Sequence, residues 1–227
     1  MAIVTRFSPS SRARLTHHDL GRFPGTSLFD RVGRALCEAG CLPRKELYEA
    51  WEVSRRARRM FRGGRVVDVA GGHGLLAHLM LLLDDTSPTA IVVDPAPPAS
   101  ADRIQLALVQ TWPKLDGRVT YIKGRVDALQ IGRDDVVVSC HACGALTDRI
   151  IERAIASGAR LAVLPCCHDE ATCDAGDLTG WMDAALAIDA VRVSRLNSQG
   201  YRVRTQTIPA EITPKNRLIL ADPRARG

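Results

Sequence analysis

Five short runs of β-branched and apolar residues alternate with segments of helical period along most of the chain, which predicts a parallel sheet wound with helices. The strands read as Arg65–Ala70, Thr89–Val93, Val119–Lys123, Asp135–Ser139 and Ala159–Leu164, with helices over Leu75–Leu83, over Asp102–Gln110 and from the Cys143 region to Ala156. Leu178 to about Leu196 reads as another helix. Val203–Ile208 and Leu218–Ala221 form a hairpin through Pro209–Arg217, antiparallel to the preceding pattern. Upstream, Leu28, Val32, Ala35 and Leu36 recur at helical spacing between Thr26 and about Ala39, and Gly40 ends that helix. A second helix begins at Pro43 and runs to about Phe61, with Leu47, Ala50, Trp51, Val53 and Ala57 on its apolar side. Met1 to about Gly25 shows no apolar periodicity and carries a His17-His18 pair, so it is expected as a mobile arm or an extended segment lying on the domain. The chain thus divides into an arm (1–25), a helical extension (26–62) and an α/β domain (63–227).

A chain of 227 residues is long enough for one such domain with an extension. Hydrophobic residues make up 46%, yet no run reaches the ~18 needed to span a membrane, so no membrane association is expected. Met1–Arg6 lacks the apolar core of a secretory signal, which points to the cytoplasm. Seven cysteines, two of them adjacent, suit a reducing compartment better than a disulfide framework. The formal charge of +6 favours polyanionic partners without requiring them. Within the second helix, Arg55, Arg56, Arg58 and Arg59 form a dense cluster that either complements the helix C-terminal dipole or contacts phosphates. The oligomeric state is not legible.

The stretch Asp68-Val-Ala70-Gly71-Gly72-His73-Gly74 joins a buried strand to a helix start, and its glycines let the backbone approach a ligand closely. Two cofactors fit. Gly72 to Ala77 matches the dinucleotide fingerprint, with Asp94 near the ~20-residue distance of a ribose-binding acid. Against NAD stands Asp68, a carboxylate before the glycines that suits a cationic amino-acid cofactor. That is the acid-then-glycines pattern of S-adenosylmethionine (SAM) methyltransferases, with Ala70 where the first glycine usually stands. Asp94 serves either cofactor. Asp127, after the third strand, is either an adenine contact or a loop carboxylate.

The fourth and fifth strands should be neighbours, so His141, Cys143, Cys166, Cys167 and His168 should converge at their carboxyl ends. Zinc is conceivable there, but Cys-His-x-Cys and Cys-Cys-His lack CxxC spacing, and no metal is expected. A nucleophilic cysteine attacking a base is a second reading. The favoured one is an acceptor pocket in which His141 or His168 positions or deprotonates the acceptor. Cys37, Cys41 and also Cys140 suit small apolar core positions.

Asp68-Val-Ala-Gly-Gly-His-Gly, the run His141-Ala-Cys143-Gly144-Ala-Leu-Thr147-Asp148 and Cys166-Cys167-His168 together resemble a family of SAM-dependent methyltransferase domains. It includes the eukaryotic acceptor-stem tRNA 2′-O-methyltransferase, glutathione-S-transferase-C-terminal-domain-containing proteins and methyltransferase-like proteins. The similarity covers about Pro43 to His168, with Thr213-Pro-Lys-Asn216 less securely. The resemblance implies a Rossmann-like class I methyltransferase with a mostly parallel seven-stranded sheet, a C-terminal antiparallel hairpin and the N-terminal helical extension. It also implies a SAM pocket at Asp68, Ala70, Gly71, Gly72, Gly74, Asp94, Asp127 and Cys140, and an acceptor face at His141, Cys143, Gly144, Asp148, Cys167 and His168. The chain lacks the tRNA enzyme's N-terminal Cys/His modules and any Lys-Asp-Lys-Glu set. The expected activity is methyl transfer from SAM to RNA, foremost tRNA. The alternatives are methylation of a small molecule or protein side chain, or SAM binding without catalysis.

Overall fold

The computed structural model describes residues 7–224, so the reading of Met1–Arg6 lies outside the described residues. The helical extension comprises α1 (Leu28–Ala39) and α2 (Arg44–Met60). Ser27 caps α1 by accepting the Asp30 amide at 3.1 Å, and Gly40 ends it at φ 65°, where a glycine relieves the left-handed turn.

The sheet consists of β1 (Val66–Val69), β2 (Ala90–Asp94), β3 (Val119–Lys123), β4 (Val136–Ser139), β5 (Arg160–Val163), β6 (Tyr201–Thr207) and β7 (Arg217–Pro223). Between them lie α3 (Leu75–Leu82), α4 (Ala101–Thr111), α5 (Ala145–Ser157) and α6 (Ala184–Ser198). The order across the sheet is β3-β2-β1-β4-β5-β7-β6. β1 to β5 run parallel, and β7 pairs antiparallel with both β5 and β6, which is the predicted seven-stranded sheet with its terminal hairpin. The order reverses at β1, with β2 on one side and β4 on the other. A crevice opens at such a switch point above the carboxyl ends of the strands.

Alternate residues of the buried strands feed two cores. Val66, Val92, Val136 and Val138 pack with α1, α2, α3 and α4, whereas Val67, Val69, Val137 and Leu161 pack with α5 and α6. The helical extension therefore shares one core with the α/β domain: α2 lies along α3, and α1 along α4. Between Leu15 and Phe23 the N-terminal stretch is docked on the domain. Leu15 and Phe23 are buried in that core, Leu15 N–H donates to Leu42 O at 2.9 Å, and His17–Arg22 forms a 3-10 turn with both histidines exposed. Two large anchors eight residues apart create no periodic signal. Among the described residues no helix is long and apolar enough to cross a membrane.

Candidate active site

β1 delivers the chain to the switch point, and Ala70 turns it there with φ 54°, the left-handed region that favours glycine. Gly74 has φ 71°, and a Cβ there would collide with the Tyr121 hydroxyl, which donates to His73 O at 2.8 Å. At Gly71 a Cβ would lie 2.8 Å from the Asp68 carboxyl carbon, so the turn passes directly over that acid. Asp68 is 1% exposed and accepts the Ala77 amide at 3.2 Å, anchoring β1 to the first turns of α3. Burial raises its carboxyl to about 8, with the Ala77 hydrogen bond pulling the other way and Asp94 adding to the rise. Asp94, closing β2, accepts Gly72 N–H at 3.1 Å and Ala96 N–H at 2.8 Å.

A cavity of about 270 Å³ opens beside this turn, lined by Val69, Ala70, Val93, Arg125, Val126, Asp127, Leu146 and Arg149. Asp127 at its edge pairs with Arg149. Ala70 also borders a slot of about 20 Å³, room for about one water, with Glu46, Asp68, Gly71, His73, Cys140 and His141 around it. Glu46 reaches this slot from α2 and bonds His73 Nδ1 at 3.2 Å, while Ser100 meets Nε2 at 3.0 Å. The slot has room for a cationic group only if its walls give, and a buried acid with no cationic partner among the described residues fits such a group.

The loops after β4 and β5 are joined by a parallel bridge between Cys143 and Cys167 and by Gly144 N–H to Cys167 O at 3.2 Å. Cys143, Cys166 and Cys167 come together, with Sγ atoms 3.0 Å apart for Cys143–Cys166 and 3.9 Å for Cys166–Cys167. Hydrogen bonding from Cys143 holds the Cys167 thiol below its ordinary value despite some burial, helped by Cys166 and by Lys215 Nζ 3.7 Å away. Burial raises the other two. Cys140 is buried, and its thiol is pushed well up by that burial, so it serves as a wall of the slot. His141 is exposed at the slot.

His168 and Asp148 do not join this group. The His168 side chain is 6% exposed and its Nε2 meets Asp189 at 2.9 Å. Asp148 holds the Arg192 guanidinium through two contacts of 2.8 Å. Arg192, 2% exposed, also donates to Asp189 at 3.2 Å and to Gly144 O at 3.1 Å, while Arg217 donates to Asp189 at 2.7 Å. This ionic network ties α5, α6 and β7 beneath the cysteine loops. Asp189, Arg192 and Arg217 were not singled out from the sequence. The available signal was a charged pair three residues apart on the face of α6 that also carries Ile188.

The arginine cluster of α2 also divides. Arg58 is buried at 2%, donating to Met80 O at 2.9 Å and Ser87 Oγ at 2.8 Å and pairing with Asp84 at 3.0 Å, so it is a core cation with no face for RNA. Its hydrogen bonds offset the cost of burial, which pulls its pKa down to about 10. Arg55 and Arg56 are drawn onto Glu52, and Arg59 is exposed.

A family model described as a methyltransferase domain matches residues 46–174, more than half of the chain. A comparison with curated proteins finds no match. Among solved structures, an O-methyltransferase family protein from Burkholderia thailandensis is 15% identical with a TM-score of 0.52, over 90% of this chain and 62% of that one. The B. subtilis M1A22 tRNA methyltransferase TrmK is 15% identical with a TM-score of 0.52, over 78% of this chain and 65% of that one. M. capricolum TrmK, solved with S-adenosyl-homocysteine, is 13% identical with a TM-score of 0.50, over 76% and 68%. The chain thus spans less than two thirds of the length of the first two, and at these identities the likeness is one of fold. With the matched segment running from α2 through the glycine turn and both cysteine loops, the chain belongs to the methyltransferase-domain family.

Proposed function

We propose that this chain transfers a methyl group from S-adenosyl-L-methionine to RNA in the cytoplasm, with tRNA the leading acceptor. The observation that carries this reading is the buried Asp68 carboxyl facing the slot beside a cavity whose rim holds Asp127, with Asp94 fastened to the same glycine turn through the Gly72 amide. Asp68 would hold the cofactor's ammonium, Asp94 its ribose hydroxyls, and Asp127 its adenine amino group. Ala70, Gly71, Gly72 and Gly74 let the backbone lie against it, and Cys140 closes the slot. Bound there, SAM supplies an activated methyl group on a sulfonium sulfur.

The chain's own contribution is placement and one proton. Alignment of acceptor, methyl carbon and leaving sulfur supplies much of the acceleration in an in-line displacement. His141, exposed at the slot, is the group placed to take the acceptor's proton. Cys143 lies two residues beyond it and is bridged to Cys167, and Asp148 and His168 act as positioning residues through Arg192 and Asp189. For RNA, the support is the net positive charge, the exposed Lys123, Arg125 and Lys215 on the loops and strand ends near the cavity and the cysteines, and the resemblance of the His141–Asp148 and Cys166–His168 runs to a methyltransferase-domain family that includes a tRNA enzyme. The B. subtilis neighbour, a tRNA methyltransferase, points the same way.

The test is incubation with methyl-labelled SAM and separated tRNA, protein and small-molecule fractions. Label should enter tRNA nucleosides and fall in His141→Ala. Label confined to protein or small molecules would reassign the acceptor, and SAM binding without transfer to any fraction would leave a non-catalytic binding protein.

A further inference from the structure

We propose that Cys143, Cys166 and Cys167 form a binding site for one thiophilic divalent cation of the zinc class, with an open fourth coordination position on the acceptor side of the domain. The expectation of no metal rested on ligand spacing within a single loop, whereas the fold assembles these ligands from two. The adjacent β4 and β5 end side by side, and the Cys143–Cys167 bridge locks their loops together. The three Sγ atoms all lie within 4.8 Å of one another. Four ligands at the ~2.3 Å of a zinc–thiolate bond stand about 3.8 Å apart at the corners of a tetrahedron. The Cys143–Cys166 and Cys166–Cys167 separations of 3.0 and 3.9 Å straddle that value, so small rotations of the side chains complete the geometry.

No histidine or carboxylate joins the three thiols among the described residues. The nearby His168 is already committed to Asp189. Three protein ligands with a fourth position free is the arrangement of zinc sites that bind an exchangeable group, rather than that of closed structural sites. Cys143 is exposed, which gives the ion an entry path and leaves that fourth position to water. On binding, each thiol releases its proton to solvent and forms one sulfur–metal bond. The complex then carries one net negative charge, and Lys215 beside Cys167 offsets it. The inference stands on the cluster's geometry and does not depend on SAM or RNA.

The experiment loads the reduced full-length chain with zinc sulfate, counts bound zinc by elemental mass spectrometry and measures affinity by chelator competition. One zinc per chain is expected. Cys143→Ser, Cys166→Ser and Cys167→Ser should each weaken binding on the order of 100-fold, whereas Cys41→Ala should leave it unchanged. Cobalt(II) loaded in place of zinc should give thiolate charge-transfer absorption in the wild-type chain, which needs no variant. Absence of stoichiometric zinc, or affinity unchanged in the serine variants, would overturn the site. So would a reduced chain that binds no zinc yet forms a Cys143–Cys166 disulfide in air, which would make the cluster a redox pair.

Discussion

The Asp94 carboxylate, at the carboxyl end of β2, accepts the Gly72 amide at 3.1 Å and so fastens the acid of one strand to the glycine turn that follows its neighbour. The turn and the acid are therefore one rigid unit. A cofactor ribose lying there would meet an oriented carboxylate rather than order a loose one.

The turn itself holds strain that can be released. Ala70 sits at φ 54°, where an L-residue costs about 1–2 kcal/mol, and a glycine would give back about 0.4–1 kcal/mol through its freer unfolded chain. Ala70→Gly should raise stability by roughly 0.5–1 kcal/mol in urea unfolding. Ala70→Val should lower it.

Cofactor affinity should depend on pH through Asp68. In the free protein its carboxyl stands at about 8, so it is largely protonated at pH 6 and half ionised near pH 8. An ammonium prefers the carboxylate, so binding requires loss of that proton. Calorimetry should show SAM affinity rising up to about tenfold per unit between pH 6 and 8. That slope should vanish in Asp68→Asn, and a slope kept in the variant would remove Asp68 from the account.

Neighbouring arginines of α2 should behave oppositely. Arg58→Ala leaves Asp84 short of its buried partner and should cost about 3 kcal/mol or more in stability. Arg59→Glu, on the surface, should leave stability within about 0.5 kcal/mol but weaken tRNA retention and flatten its salt dependence. Equal RNA binding in wild type and Arg59→Glu would confine the RNA contact to the side that carries Lys123, Arg125 and Lys215.

The difference between those two arginines marks what the sequence made legible. The five parallel strands, the neighbouring of the fourth and fifth, Asp68 and Asp94 could be read because β-branched runs fix the strands and the acids stand in or at the end of β1 and β2. Whether an arginine on α2 faces solvent or core was not legible, since Met80 O, Ser87 and Asp84 reach Arg58 from the next helix and its following loop. The same holds for the acceptor loops. Adjacent strands predicted that Cys143, Cys166 and Cys167 converge, but the turning of His168 to Asp189 depends on α6, which carries no motif.

His168 and Asp189 therefore allow a test of role. Asp189→Asn removes the shared partner of His168, Arg192 and Arg217 and should destabilise the fold by about 3 kcal/mol. His168→Ala should lower stability while leaving the pH profile of methyl transfer unchanged. A profile that loses its acid limb in His168→Ala, but not in His141→Ala, would make His168 the base.

The central claim is the cofactor, and calorimetric titration of SAM and NAD into wild type, Asp68→Ala and Asp94→Ala tests it most directly. SAM should bind the wild-type chain and weaken about 10- to 100-fold in Asp94→Ala, the loss of hydrogen bonds to a charged group, with Asp68→Ala also weakened and NAD silent. NAD binding without SAM binding, or SAM affinity indifferent to both substitutions, would contradict the account.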